Sequence, residues 1–287
     1  NTTLQAGDDV VIDGTAKATA KTVTITAAFG DVDAGGAINA AGAITAGTDV
    51  TLSARDDITL ATVTAGATGV VTVTSSAGNI FDDDNDTTAI TGDKLTLSAV
   101  RAIGKPGAVA DIDSKVTSVT ATTTGAGPFA GLPTAGIWVT DTGALVVTNA
   151  TTTGDGVILI DAGTSLNAQT VVANGTGRNV RLRALGGDLT VGTVTAAGDI
   201  VALSATGTIT DGNVATNNVT ALSLSLSAGT GIASSADPLE TTITNLAWIA
   251  GTGGLALSNT GALTIASVTA FGGTVTGGAG AADQNIK

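Results

Sequence analysis

VTLSARDDITLATVTAG, residues 50–66, returns as VRLRALGGDLTVGTVTAA, residues 180–197. Val50 and Leu52 match Val180 and Leu182, and, one residue out of step, Ile58 and Val63 match Leu189 and Val194. The offset of about 130 residues then persists. Val71 and Val73 fall on Val201 and Leu203, Ile80 on Ile209, Leu95 on Leu224 and Ile103 on Ile232. Upstream, VVID from Val10 and TVTI from Thr22 recur as LVVT from Leu145 and VILI from Val157, and Ile38-Asn39-Ala40 as Leu166-Asn167-Ala168. TDTGALVV from Thr140 recurs as SNTGALTI from Ser258. These matches predict an internal duplication, approximately residues 10–139 and 140–262, with the start of a third copy at 263–287, inside one continuous chain of coils.

A shorter motif runs through both copies: apolar-x-apolar-Ser/Thr, then a turn bearing Gly, Asp or Asn, then another apolar-x-apolar. Val50 to Ser53, Leu95 to Ser98, Val201 to Ser204 and Leu224 to Ser227 are examples. Period-two alternation puts Val, Leu and Ile on one face and Thr or Ser on the other, the pattern of a half-buried strand. Apolar residues rarely recur at helical spacing, and β-branched residues dominate. Short strands separated by polar turns, with no change of character along the chain, predict an all-β fold: a parallel β-helix, or β-solenoid, without substantial helix. Composition agrees, because 40 of 287 residues are Gly and only 2% are aromatic. A core of stacked aliphatic side chains at the strand spacing of about 4.8 Å needs no large rings. At roughly 20 to 24 residues per coil the chain makes about 12 to 14 coils, a rod of about 60 Å. Pro106, Pro128, Pro133 and Pro238 lie where alternation weakens and mark loops. Between Lys105 and Gly136 the first copy carries material that the second lacks.

VTLSARDDITLATVTAG from Val50, VALSATGTITDGN from Val201 and LALSNTGALTIASVTAFGG from Leu255 resemble the repeats of filamentous-haemagglutinin-like bacterial exoproteins. That resemblance implies a right-handed parallel β-helix projecting from the cell surface in adhesion: an extracellular, non-enzymatic stalk or fibre. Neither NTTLQAGDD nor GGAGAADQNIK reads as a cap for an exposed strand edge. The expected partners are therefore further repeats, or neighbouring copies of the same protein stacked end to end, with surface glycans as a further partner. The alternatives are a self-assembling filament subunit, a carbohydrate-binding module, or an ice-binding face built from Thr-x-Thr rows such as Thr72-Val73-Thr74. The irregular spacing of those rows along the sequence argues against the last.

The chain has no Cys, His, Met or Tyr. Thiolate and imidazole metal sites, Ser-His-Asp and Cys-His nucleophiles and histidine acid–base steps are thereby excluded. Lys and Arg total 11 against 24 Asp and Glu, a net charge of −13, so no basic stripe is present to neutralise phosphates and nucleic acid is not an expected partner. No apolar run reaches the length of a membrane-spanning helix.

Three local features bear on sites. FDDDNDTT, residues 81–88, sets Asp82, Asp84 and Asp86 at alternate positions with Asp93 beyond, part of the pattern of a calcium loop. Thr87 stands where such a loop needs Gly, and a solvated acidic turn is the competing reading; no other cofactor is expected. Arg178, Arg181 and Arg183 form the basic cluster, and alternation makes the last two a solvated strand face outside Val180 and Leu182. Asn-x-Thr sequons occur at Asn1, Asn85, Asn149, Asn174 and Asn218, and Trp138 and Trp248 are read as core or loop packing.

Overall fold

A computed structural model describes residues 1–287 except 32–34, 88, 108, 126–134, 176 and 281–283. The fold is an all-β parallel solenoid with no helix among the described residues. It divides into two compact units, Asn1–Thr142 and Gly143–Lys287.

In the first unit every coil has three faces. Thr2–Gln5, Val23–Thr26, Val50–Ala54, Val70–Ser75, Lys94–Ala99 and Ser118–Thr123 pair in parallel to make the first face. Val10–Val11, Ile38–Ala40, Ile58–Leu60, Ile80–Asp82 and Ala102–Ile103 make the second. Ala16–Ala18, Ile44–Ala46, Val63–Thr64, Ile90–Thr91 and Ile112–Lys115 make the third. Inside, like stacks on like: Val23, Val50, Val71, Leu95 and Val119 form one row and Ile38, Ile58, Ile80 and Ile103 another, all at most 1% exposed. Each buried Val, Leu or Ile contributes about 1.5–3 kcal/mol, which is how an aliphatic core without rings holds the coils.

The second unit repeats the plan. Leu145, Leu166, Leu189, Ile209, Ile232 and Leu255 share one row. Val180, Val201, Leu224 and Leu246 share another. The residues matched by sequence occupy the same place in the coil of each unit. Val50 and Val180 lie on the first face, and Ile58 and Leu189 on the second. The one-residue slip between them is a longer turn, Leu185-Gly186-Gly187-Asp188 against Arg55-Asp56-Asp57.

The polar turn residue of the motif has a definite task. Asp49, Asp57, Asn79, Asn179, Asp188 and Asn218 each stand just before a strand's first inward residue, and each accepts, through a side-chain oxygen, the backbone N–H of the corresponding residue one coil later. A carboxylate or amide thus satisfies a corner donor that no strand ladder reaches. Coils also touch at glycines: a Cβ on Gly66 would collide with the Gly47 carbonyl, and one on Gly251 with that of Gly229.

The solenoid has about 11 turns, against the 12 to 14 expected. Long corners take up the difference, as does residues 266–278, which hold an antiparallel hairpin instead of a coil. The stretch Lys105–Gly136 contains two regular strands, Ile112–Lys115 and Ser118–Thr123, so its excess lies in the corners. Pro106 and Pro238 are in turns as expected, Pro128 and Pro133 fall outside the described residues, and Trp138 and Trp248 are buried.

Candidate functional sites

Three outward features could carry function: a threonine face, a repeated acidic corner, and a basic strand face. On the first face of the first unit, Thr3, Thr24, Thr51, Thr72, Thr96 and Thr120 lie side by side in unbroken register. Two residues further along each strand, Gln5, Thr26, Ser53, Thr74, Ser98 and Thr122 form a second row. Along the sequence, successive members of the first row are 21 to 27 residues apart, from Thr3 to Thr24 and from Thr24 to Thr51. The corners absorb that variation, so irregular spacing in sequence becomes a regular array in space. Neither row holds a charged residue, in a chain with 35 of them (24 acidic, 11 basic). The array repeats every ~4.8 Å across strands and about 6.6 Å along them.

The acidic corner lies where the second face turns into the third. Asp82 ends the strand Ile80–Asp82 and is 5% exposed; one coil later Asp113 is 9% exposed, with its Oδ2 lacking a hydrogen-bond partner among the described residues. Burial, together with the neighbouring Asp111, Asp82, Asp86 and Asp83, pushes the Asp113 carboxyl up to about 7. Burial likewise raises Asp82 to about 6, against the Asn85 N–H that its carboxylate accepts at 3.2 Å. The second unit has a counterpart. Asp211, at the place of Asp82, accepts from Asn218 Nδ2 at 2.5 Å, and Glu240, at the place of Asp113, is raised by burial and by Asp211. The next residue is polar and inward in both units. Ser114 Oγ donates to Asp141 at 2.9 Å, and Thr241 Oγ1 to Asn259 at 2.9 Å. Asp141 and Asn259 also accept the backbone N–H of Val116 and of Ile243.

The candidate calcium ligands do not converge. Asp82 turns into the corner; Asp84, at φ 60, pairs with Lys105 at 3.4 Å; Asp86 is exposed; and Asp93 lies beyond the strand Ile90–Thr91, at the next corner. Among the described residues no three carboxylates gather to hold a metal ion, and Thr88 of the motif lies outside the described residues. A turn with one residue in the left-handed region splays alternate side chains instead of aiming them at one point.

The basic face is less open than alternation implied. Val180 and Leu182 are inward and fully buried, as expected. Arg181 Nη2 donates to the buried Asp161 at 3.0 Å, Arg183 Nε to the same carboxylate at 2.7 Å, and Arg178 pairs with Asp155 at 2.8 Å. The C-terminal hairpin covers part of this face. Of the sequons, Asn218 is fully buried and its amide is bonded inside the fold, which removes it as an acceptor in the folded chain.

Comparison of the chain with protein-family models, with curated proteins and with solved structures returns no match. No helix is long and apolar enough to cross a membrane.

Proposed function

We propose that this chain is a non-enzymatic structural module of a secreted bacterial surface or matrix protein, of the filamentous-haemagglutinin-like kind, serving as part of an adhesive stalk or fibre. The supporting observation is the stacking itself. Row upon row of aliphatic residues, parallel ladders and side-chain acceptors at the corners resist bending and extension locally in each unit. Such a design lengthens by adding coils without a new core. Further repeats, or neighbouring copies end to end, are its partners in this reading. Labelling intact producing cells with an amine-reactive reagent that does not enter them tests the location. Modified lysines from this chain support the reading, and labelling seen only after lysis removes it.

A second reading is favoured by the threonine face. Two rows of uncharged hydroxyl residues offer a lattice whose ~4.8 Å repeat is close to the second-neighbour distance of tetrahedral water, about 4.5 Å for O–H···O contacts near 2.8 Å. In this reading the first unit binds ice. Inhibition of ice recrystallisation by the chain, lost on Thr72→Lys at the middle of the array, supports it; an inactive chain, or an equally active variant, rules it out.

A further inference from the structure

The final strand on the first face of the second unit is split by an insertion. Thr264 and Ile265 pair with Asn245 and Leu246, pairing resumes at Ala279 and Gly280 beside Ile249 and Ala250, and between them Val268–Ala270 and Gly273–Val275 form an antiparallel hairpin. Its two-residue tip, Phe271-Gly272, has φ 51 and 79, the left-handed pair that a tight hairpin turn requires. Asn-Gly is the ordinary occupant of such a tip. A phenylalanine there holds a backbone conformation that costs of order 1–3 kcal/mol, and strain of that kind concentrates at binding sites. The Thr269 and Thr274 hydroxyls bond across the hairpin at 2.8 Å, and Val268 is buried beneath it.

The hairpin roofs a cavity of about 250 Å³ over the outward face of earlier coils. Arg181, Arg183, Ser204, Ser225 and Ser227 supply its polar surface, and Phe271 belongs to its apolar wall, with its ring 5.7 Å from the Arg181 guanidinium. No carboxylate is among the described residues that line it. Asp161, 6% exposed, receives hydrogen bonds from both guanidiniums and so fixes their planes, while one negative charge faces two positive ones. In a chain of net charge −13 this is a local cationic excess, assembled from residues that are separate in sequence and closed over by an aromatic tip.

We propose that this cavity binds a carboxylate-bearing sugar ring of the uronic-acid class. The guanidiniums take the carboxylate, through the paired N–H···O geometry that arginine forms best; the serine hydroxyls meet ring hydroxyls, and Phe271 lies against the apolar side of the ring. The volume accommodates one ring, below the size of ordinary drug-sized pockets. The proposal is independent of the stalk and ice readings, since it concerns one pocket of the second unit.

Isothermal titration calorimetry with glucuronate, with an oligomer of glucuronate, and with glucose tests it on the full chain. The expected result is binding of glucuronate and none of glucose, weakened about tenfold or more by Arg181→Gln and several-fold by Phe271→Gly. Phe271→Gly relieves the tip's strain and keeps the fold intact, which guards against a variant that simply unfolds. Tighter binding of the oligomer than of the monomer identifies a polysaccharide as the source of the ligand, and equal affinity identifies the free sugar acid. Absence of glucuronate binding, equal binding of glucose, or unchanged affinity in both variants overturns the proposal.

Discussion

Replacing Asn79 by Ala removes the centre of a three-coil corner ladder. Its Nδ2 donates to Asp57 one coil back at 2.8 Å, and its Oδ1 accepts from the Ala102 N–H one coil on at 3.1 Å. Ala102 is fully buried, so that N–H has no route to water once the amide is gone. A lost side-chain hydrogen bond costs about 1 kcal/mol net, and a buried donor left unsatisfied about 1–3 kcal/mol more. The backbone N–H of Asn79 still donates to Asp57 and offsets nothing further. The sum is about 3 kcal/mol. Urea unfolding followed by far-ultraviolet circular dichroism reads it: for a slope of about 3 kcal/mol/M the midpoint falls by about 1 M. A fall of less than about 0.2 M would mean that the corner side chains decorate the coils without holding them, and the account of the Asp/Asn turn motif would be wrong.

The acidic corners make stability depend on pH. A carboxyl whose pKa rises on folding, such as Asp113 going from its ordinary value of 3.8 to about 7, binds its proton more tightly in the folded chain. Its contribution is most favourable at about pH 4 and is lost as pH rises through about 7. The full shift corresponds to about 4 kcal/mol, and solvent screening at the corner reduces the measurable part to about 1–2 kcal/mol. Asp113→Asn is therefore expected to melt several degrees above the parent near pH 8 and level with it near pH 4.5, measured by scanning calorimetry; a gap independent of pH contradicts the assignment. Gly251→Ala places a methyl group against the Gly229 carbonyl and is expected to lower the melting temperature by several degrees, whereas Gly261→Ala, where a Cβ meets no neighbour, changes it far less in the same assay.

Much of this fold could be read along the chain because period two is local. Val50, Leu52 and Ala54 alternate inward with Thr51 and Ser53 outward, and their burial follows that alternation. The matched pairs Val71 with Val201 and Ile103 with Ile232 also lie on corresponding faces, since each coil closes on its predecessor after one circuit. What escaped the sequence depends on corner length. The threonine rows looked irregular because a coil of 27 residues separates Thr24 from Thr51 while one of 21 separates Thr51 from Thr72. Asp82 and Asp113 meet across adjacent coils, a proximity no linear spacing signals, and the calcium reading joined Asp82 instead to its near neighbours Asp84 and Asp86. The hairpin was hidden for a different reason. Phe-Gly is not a customary turn pair, so Val268–Val275 passed for the start of a third copy and Arg181 and Arg183 for an open strand face.

The claim that this chain is a structural module of a surface fibre is tested most directly by electron microscopy of native material labelled with gold-conjugated antibodies raised against it, with intact mass taken on the same preparation. The account predicts gold along thin fibres at the cell surface. Fibres that dissociate to chains near 27 kDa point to end-to-end stacking of copies, and a much heavier polypeptide to repeats within one long chain. Gold confined to the cell interior, or spread over particles with no fibres, contradicts it.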